Sequence, residues 1–180
     1  MSAAALSTET KKAQRMHKRR VFMRFRDDYF FLSNFYPCDV KIEGDLTGTG
    51  SDIVFPSSEN AYHYFRSDNP KTKEKFITHT PLGAKKLAKR CKAKPNWDDI
   101  KLGVMYYVVK QKFIQNPDLA AKLISTGNEM LIEHNWWRDT FWGVCNGIGE
   151  NNLGMILMRI RAELWKDHQP SDVSMSPVSE

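Results

Sequence analysis

Apolar residues alternate only near the start of the chain and recur at helical spacing through most of the rest. "VFMRF" (21–25) and "CDVKIE" (38–43) alternate, and "DIVF" (52–55) follows the turn-rich "GDLTGTGSD", so short strands are expected there. Helical signals then take over. Ser57 can cap a helix over 58–67, and Thr80 followed by Pro81 opens another over 81–91. Asn96 can cap a long helix, 97–115, whose apolar set is Ile100, Val104, Tyr107, Val108 and Gln111. "NPDLAAKLIST" (116–126) restarts a helix with Asn116 as cap and Pro117 at its first position, and Gly127 ends it. The last helix, 152–166, has the cleanest apolar stripe, with Leu153, Ile156, Leu157, Ile160 and Leu164. "EMLIEH" (129–134) fits either a strand or a helical turn, and 135–150 reads as a loop dense in Asn, Gly and Trp. The pattern predicts a mainly helical α+β domain with a small N-terminal antiparallel sheet.

The ends differ from this body. Residues 1–20 carry six Lys or Arg against one Glu and lack periodicity, so they read as a basic, disordered arm. Residues 167–180 read as a polar tail with three acids, leaving 21–166 as the single folded domain. The arm could attract nucleic acid electrostatically or simply be solvated. No apolar run is long enough to span a bilayer and no secretory signal opens the chain, so a cytoplasmic protein without a membrane partner is expected. Three dispersed cysteines, without a Cys-x-x-Cys pair or a His-Glu-x-x-His motif, predict reduced thiols, no metal site and no cofactor.

Candidate chemistry concentrates in four places. In "FPSSENAYHYFR" (55–66), helical spacing puts Glu59, Tyr62, His63 and Arg66 along one side, while Ala61, Tyr64 and Phe65 can pack inward. Such a row is either a solvated face or one wall of an active site. In "WWRDTFWGVCNGIGENNLG" (136–154), Asp139, Trp142 and Gly143 lie in a loop running into a helix N-terminus, whose free N–H groups can receive phosphate. A glycine-rich turn packed by core tryptophans explains the same residues. Asn34, between aromatics in "FLSNFYP", is a turn former or a ligand contact, and Trp97 is a core aromatic or a pocket wall.

"FLSNFYP", "PSSENAYHYF", "TPLGAKKLAK", "NWDDIKLGVM", "KFIQNP", "STGNEMLIEH", "DTFWG" and "NNLGMILMRIR" occur in the order seen in the NADAR family, and from Phe31 to Arg161 the chain resembles it. The resemblance implies a NADAR/N-glycosidase-like domain that hydrolyses the N-glycosidic bond of a phosphorylated ribosylamine, such as an early riboflavin-pathway phosphoribosylamino-pyrimidine. The alternatives are an ADP-ribosyl hydrolase acting on guanine in nucleic acid and a catalytically silent binding module. It implies Glu59 as the catalytic carboxylate and Asp139 as the second acid. Asn34, Arg66, Trp97, Trp142, Gly143 and Asn152 become substrate-binding residues. The chain departs from many relatives at His63, where they have Gln, and at Tyr64 and Phe65, where theirs are small. It departs again at Arg66, where they have Lys, and at Ala88-Lys89, where they have Gly-Arg. Arg66 is therefore expected to pair with Glu59 or to grip a substrate phosphate.

Overall fold

The computed structural model describes residues 25–167. The basic arm, residues 21–24 of the expected first strand and the tail beyond 167 lie outside the described residues. Phe25, the last residue of that expected strand, is a buried bend. Behind it the chain winds into a 3-10 helix, Asp27–Leu32, which presses Phe31 and Leu32 into the core, and residues 33–37 then form the turn that carries Asn34.

Strand β1 (Val40–Ile42) pairs antiparallel with β2 (Ile53–Phe55), Val40 facing Phe55 and Ile42 facing Ile53. Between them the glycine-rich stretch winds into a short helix, α1 (Gly44–Thr47), rather than an open turn. Gly44 permits this because a Cβ there would lie 2.4 Å from the Ser51 nitrogen. The Gln115 amide closes one edge of β1 by exchanging two 2.8 Å hydrogen bonds with the Lys41 backbone.

Five further helices follow: α2 (Ser58–Arg66), α3 (Pro70–Thr78), α4 (Pro81–Arg90), α5 (Trp97–Gln115) and α6 (Pro117–Ser125). The chain then runs through β3 (His134–Asn135), parallel to β4 (Val144–Cys145), into α7 (Asn152–Asp167). Ser57 and Thr80 cap α2 and α4 as expected, accepting from the Asn60 and Gly83 amides. Asn96 and Asn116 do not: neither makes a side-chain cap. The Asn116 amide is committed as a donor, bridging the Asp39 and Lys112 carbonyls.

Two apolar clusters meet along α2 and α5. One gathers Tyr62, Met105, Val109 and Phe113 with Leu131, Leu157 and Ile160 from the C-terminal half. The other joins the sheet residues Val40, Ile42 and Phe55 to Ala61, Tyr64, Phe76, Ala84, Ala88 and Val108. Serving two clusters turns the buried stripe of α5 away from the face expected. Met105, Val108, Val109, Lys112 and Phe113 are buried, whereas Ile100, Val104, Tyr107 and Gln111 are only half-buried. Lys112 is fully enclosed because its ammonium donates to the Phe31 and Ser33 carbonyls, at 2.6 and 2.9 Å. That contact fixes the turn on which Asn34 stands.

Candidate active site

Helix α2 is buried on nearly every side, so the row of polar residues along it is not a solvated face. Glu59 is 7% exposed and His63 is 9% exposed. Their side chains meet, His63 Nε2 to Glu59 Oε1 at 3.1 Å. The Glu59 amide donates to the Asn34 carbonyl at 3.1 Å, which locks the helix start to the turn after the 3-10 helix. Asn34 is buried, and its Oδ1 has no hydrogen-bond partner within the protein. Its amide nitrogen reaches only the Met105 sulfur, at 3.1 Å, a weak acceptor. A buried acceptor left open in this way is ready for a ligand donor.

These residues open onto a cavity of about 590 Å³. Asn34, Glu59, Asp139 and Trp142 all line it, joined by Tyr62 and His63. Asp139 is held by a short turn. Its amide donates to Asn135 Oδ1 at 3.0 Å, and its carboxylate Oδ1 accepts from the Trp142 amide at 2.9 Å. Tyr62 stands between two indoles, 4.9 Å from Trp97 and 5.6 Å from Trp142 between ring centroids. Burial, reinforced by the Glu59 charge, raises the Tyr62 phenol so that it stays protonated.

Four expected ligand contacts stand behind the cavity wall instead. Arg66 neither pairs with Glu59 nor faces the cavity. Its Nη1 donates to the Ala88 and Cys91 carbonyls, at 2.8 and 2.9 Å, capping the C-terminal end of α4. Trp97 is a core residue supporting Tyr62. Gly143 is a point of close approach, where a Cβ would lie 2.1 Å from the Glu133 carbonyl oxygen. Asn152 ties the loop together, donating to the Phe141 carbonyl at 2.9 Å and to Glu150 at 2.8 Å. The start of α7 is not open to phosphate either, since the Asn152 and Leu153 amides already donate to the Phe141 and Trp142 carbonyls.

Other charged residues of the cavity stand in no motif that marks them. Glu133 comes from the ambiguous "EMLIEH" stretch, which is extended here. Lys85 and Lys89 project from α4, and Arg26 precedes the 3-10 helix. The signal for the lysines was the spacing of Leu82, Lys85 and Lys89, which share a side of α4 next to the buried Ala84 and Ala88. Arg26 also lies 3.8 Å over the Trp136 ring, and Lys85 lies 5.4 Å from that of Trp137. Both tryptophans are exposed. Among the described residues, no three His, Cys, Asp or Glu side chains cluster to hold a metal ion, and no helix is long and apolar enough to cross a membrane.

A mainly helical domain with a carboxylate-lined, aromatic-walled cavity is the class that fold and site define together. The chain belongs to the NADAR domain family, which matches residues 21–165. It is 36% identical over 148 residues to a riboflavin biosynthesis protein of Vibrio vulnificus, covering 80% of this chain and 38% of that longer protein. It is 32% identical over 151 residues to N-glycosidase YbiA of Escherichia coli, covering 79% of this chain and 86% of the relative. The NMR structure of Escherichia coli YbiA superposes with a TM-score of 0.70 at 29% identity, over 84% of this chain and 89% of that one.

Proposed function

We propose that this protein hydrolyses the N-glycosidic bond of a phosphorylated ribosylamine, a small molecule of the phosphoribosylamino-pyrimidine kind, in the cytoplasm. It is a hydrolase of N-glycosyl bonds by its relationship to the N-glycosidases. The observation that carries the finer reading is the lining of one cavity. Glu59 and Asp139 line it together with Lys85, Lys89 and Arg26.

Breaking a ribose–nitrogen bond builds positive charge at the anomeric carbon. Glu59, held by His63 and by the start of α2, opposes that charge and takes a proton from the attacking water. Asp139, fixed by the Trp142 amide, orients the water, much as paired carboxylates do in O-glycosidases. Lys85, Lys89 and Arg26 hold the phosphate. Asn34 Oδ1 accepts from a sugar hydroxyl, and the Tyr62 and Trp142 rings exclude bulk water.

The exposed Trp136 and Trp137, each beside a cation, favour a second reading. In it the substrate is ADP-ribose joined to guanine in nucleic acid, with the rim rings stacking on bases. The full-length protein incubated separately with a phosphoribosylamino-pyrimidine and with ADP-ribosylated guanine DNA distinguishes the two. Free ribose 5-phosphate is expected from the first. Release of ADP-ribose from the DNA alone selects the second, and release from neither refutes both.

A further inference from the structure

The chemistry just described makes one demand that Glu59 and Asp139 do not meet. An amine departs from a sugar carbon readily only as a neutral group, so its nitrogen must gain a proton as the bond breaks. Both of those carboxylates act on the sugar and the water. We propose that Glu133 delivers the proton to the departing nitrogen, an inference that rests on the N-glycosidase reading.

Its placement fits that task. Glu133 lines the cavity with Glu59 and Asp139, and its Oε2 is buried without a hydrogen-bond partner in the protein. The backbone beneath it is pinned on both sides. Its amide donates to Asn151 Oδ1 at 3.0 Å, and its carbonyl accepts from the Val144 amide at 2.8 Å. Asn151 itself takes a left-handed conformation, φ 57°, and its amide nitrogen donates to the Leu131 carbonyl. The carboxyl is therefore carried on a rigid frame rather than a free loop.

The charges around it set its proton affinity. Glu59, Tyr62 and His63 face the cavity from α2, Lys85 and Lys89 from α4, His134 from β3, Asp139 from the following loop, and Arg26 from ahead of the 3-10 helix. Burial dominates and pushes the Glu133 carboxyl up to about 7, with Glu59 and Asp139 adding to the rise and Lys85 and Arg26 opposing it. A carboxyl that holds its proton near neutral pH is matched to general-acid work. In the step itself, the C1′–N bond breaks and its electron pair passes to nitrogen. That nitrogen takes the Glu133 proton and leaves as a neutral amine. The water oxygen bonds to C1′ and gives one proton to Glu59, which returns to Glu133 through solvent. One water is consumed and nothing is oxidised.

The test compares full-length wild type, Glu133→Gln and Glu133→Asp on two substrates that share a phosphoribosyl group. One carries the aminopyrimidine, and the other carries 4-nitrophenol, whose anion departs without a proton. Glu133→Gln should slow amine release by on the order of 10²–10⁴ and leave nitrophenol release near wild type. Glu133→Asp should recover part of the loss. Equal losses on both substrates, or unchanged amine release, overturn the proposal. A separate readout needs no turnover. The ¹³C carboxyl resonance that vanishes in Glu133→Gln should titrate near neutrality in the wild type. Titration at an ordinary value of about 4.3 overturns the proposal even if hydrolysis is observed. A wild type inert to both substrates, with the resonance still titrating near neutrality, overturns the phosphoribosylamine reading and leaves Glu133 as a stored proton without that reaction.

Discussion

Replacing Gly143 with alanine tests whether the cavity depends on backbone closeness that no side chain reveals. The added methyl would stand 2.1 Å from the Glu133 carbonyl oxygen and 2.9 Å from both Asn135 Nδ2 and Glu133 Cγ. Carbon and oxygen rest at roughly 3.3 Å or more, so the carbonyl must retreat by about 1 Å. The nearest obstacle is backbone, which cannot swing aside as a side-chain end could. Retreat sacrifices the hydrogen bond from the Val144 amide, worth roughly 0.5–1.5 kcal/mol, and adds packing strain of roughly 1–3 kcal/mol. The expected loss is about 1.5–4.5 kcal/mol, which for a chain of this size lowers Tm by roughly 3–18 °C. The same displacement moves Glu133 and the Asn135–Asp139 turn, and misplacement by about 1 Å can cost on the order of 10² in rate. Thermal unfolding of the full-length variant, with turnover measured well below its Tm, reads both effects. A Tm and a turnover equal to wild type would refute the close approach.

Gly103 on α5 supplies the contrast, because a Cβ there meets nothing within 4 Å. Gly103→Ala should add roughly 0.8–1.0 kcal/mol of helix stability and leave turnover unchanged, and a lowered Tm would contradict it. Glu59→Gln keeps the size and removes the charge, so hydrolysis should fall by on the order of 10²–10⁴ with the fold retained. Near-normal turnover on the true substrate removes Glu59 from the mechanism. Arg66→Ala should act on stability rather than on KM, since its guanidinium serves two carbonyls at the end of α4. A loss of roughly 1–3 kcal/mol in denaturant unfolding is expected, with Arg66→Lys recovering part of it. A large rise in KM with unchanged stability would return Arg66 to the ligand.

Local chemistry made most helices legible in advance. Ser57 and Thr80 announce their helices because a cap is a contact within four residues, and the stripe from Leu153 to Leu164 announces α7 because only one side of it is buried. Helix α3 leaves no such mark even though Asn69 and Pro70 begin it, because only Phe76 among its residues is buried and no stripe develops. Around the site, Glu59, Asp139, Trp142 and Asn34 could be marked from motifs and do share a cavity. Arg66, Gly143 and Asn152 sit in equally suggestive motifs, yet their partners lie in the supporting layer. Their partners are carbonyls, a neighbouring backbone and a loop carboxylate, and a motif does not say whether a residue touches ligand or scaffold. Glu133 was hidden for the opposite reason. Nothing in "EMLIEH" marks it until the glycine-rich loop folds over it and the two other carboxylates face the same space.

If Lys85 and Arg26 hold the substrate phosphate as proposed, they link its binding to the Glu133 proton. Both cations favour the ionised carboxylate and hold its proton affinity below what burial alone would give. A ribose phosphate brings roughly −1.5 to −2 charge, and pairing it with those cations cancels much of their pull. Binding should therefore raise the proton affinity of Glu133 at the moment the proton is needed. The sign follows directly: the acid form is the active one, so activity falls as pH rises through the Glu133 transition. That falling limb should lie near pH 7 in kcat/KM, which reports the free enzyme, and at higher pH in kcat, which reports the complex. Lys85→Ala removes one opposing cation, so its kcat/KM limb should move upward even without phosphate, while KM for the phosphorylated substrate rises. A substrate lacking the phosphate should show no separation between the two limbs. Coincident limbs with the phosphorylated substrate, or a downward shift in Lys85→Ala, would break the link between the cationic wall and the proton.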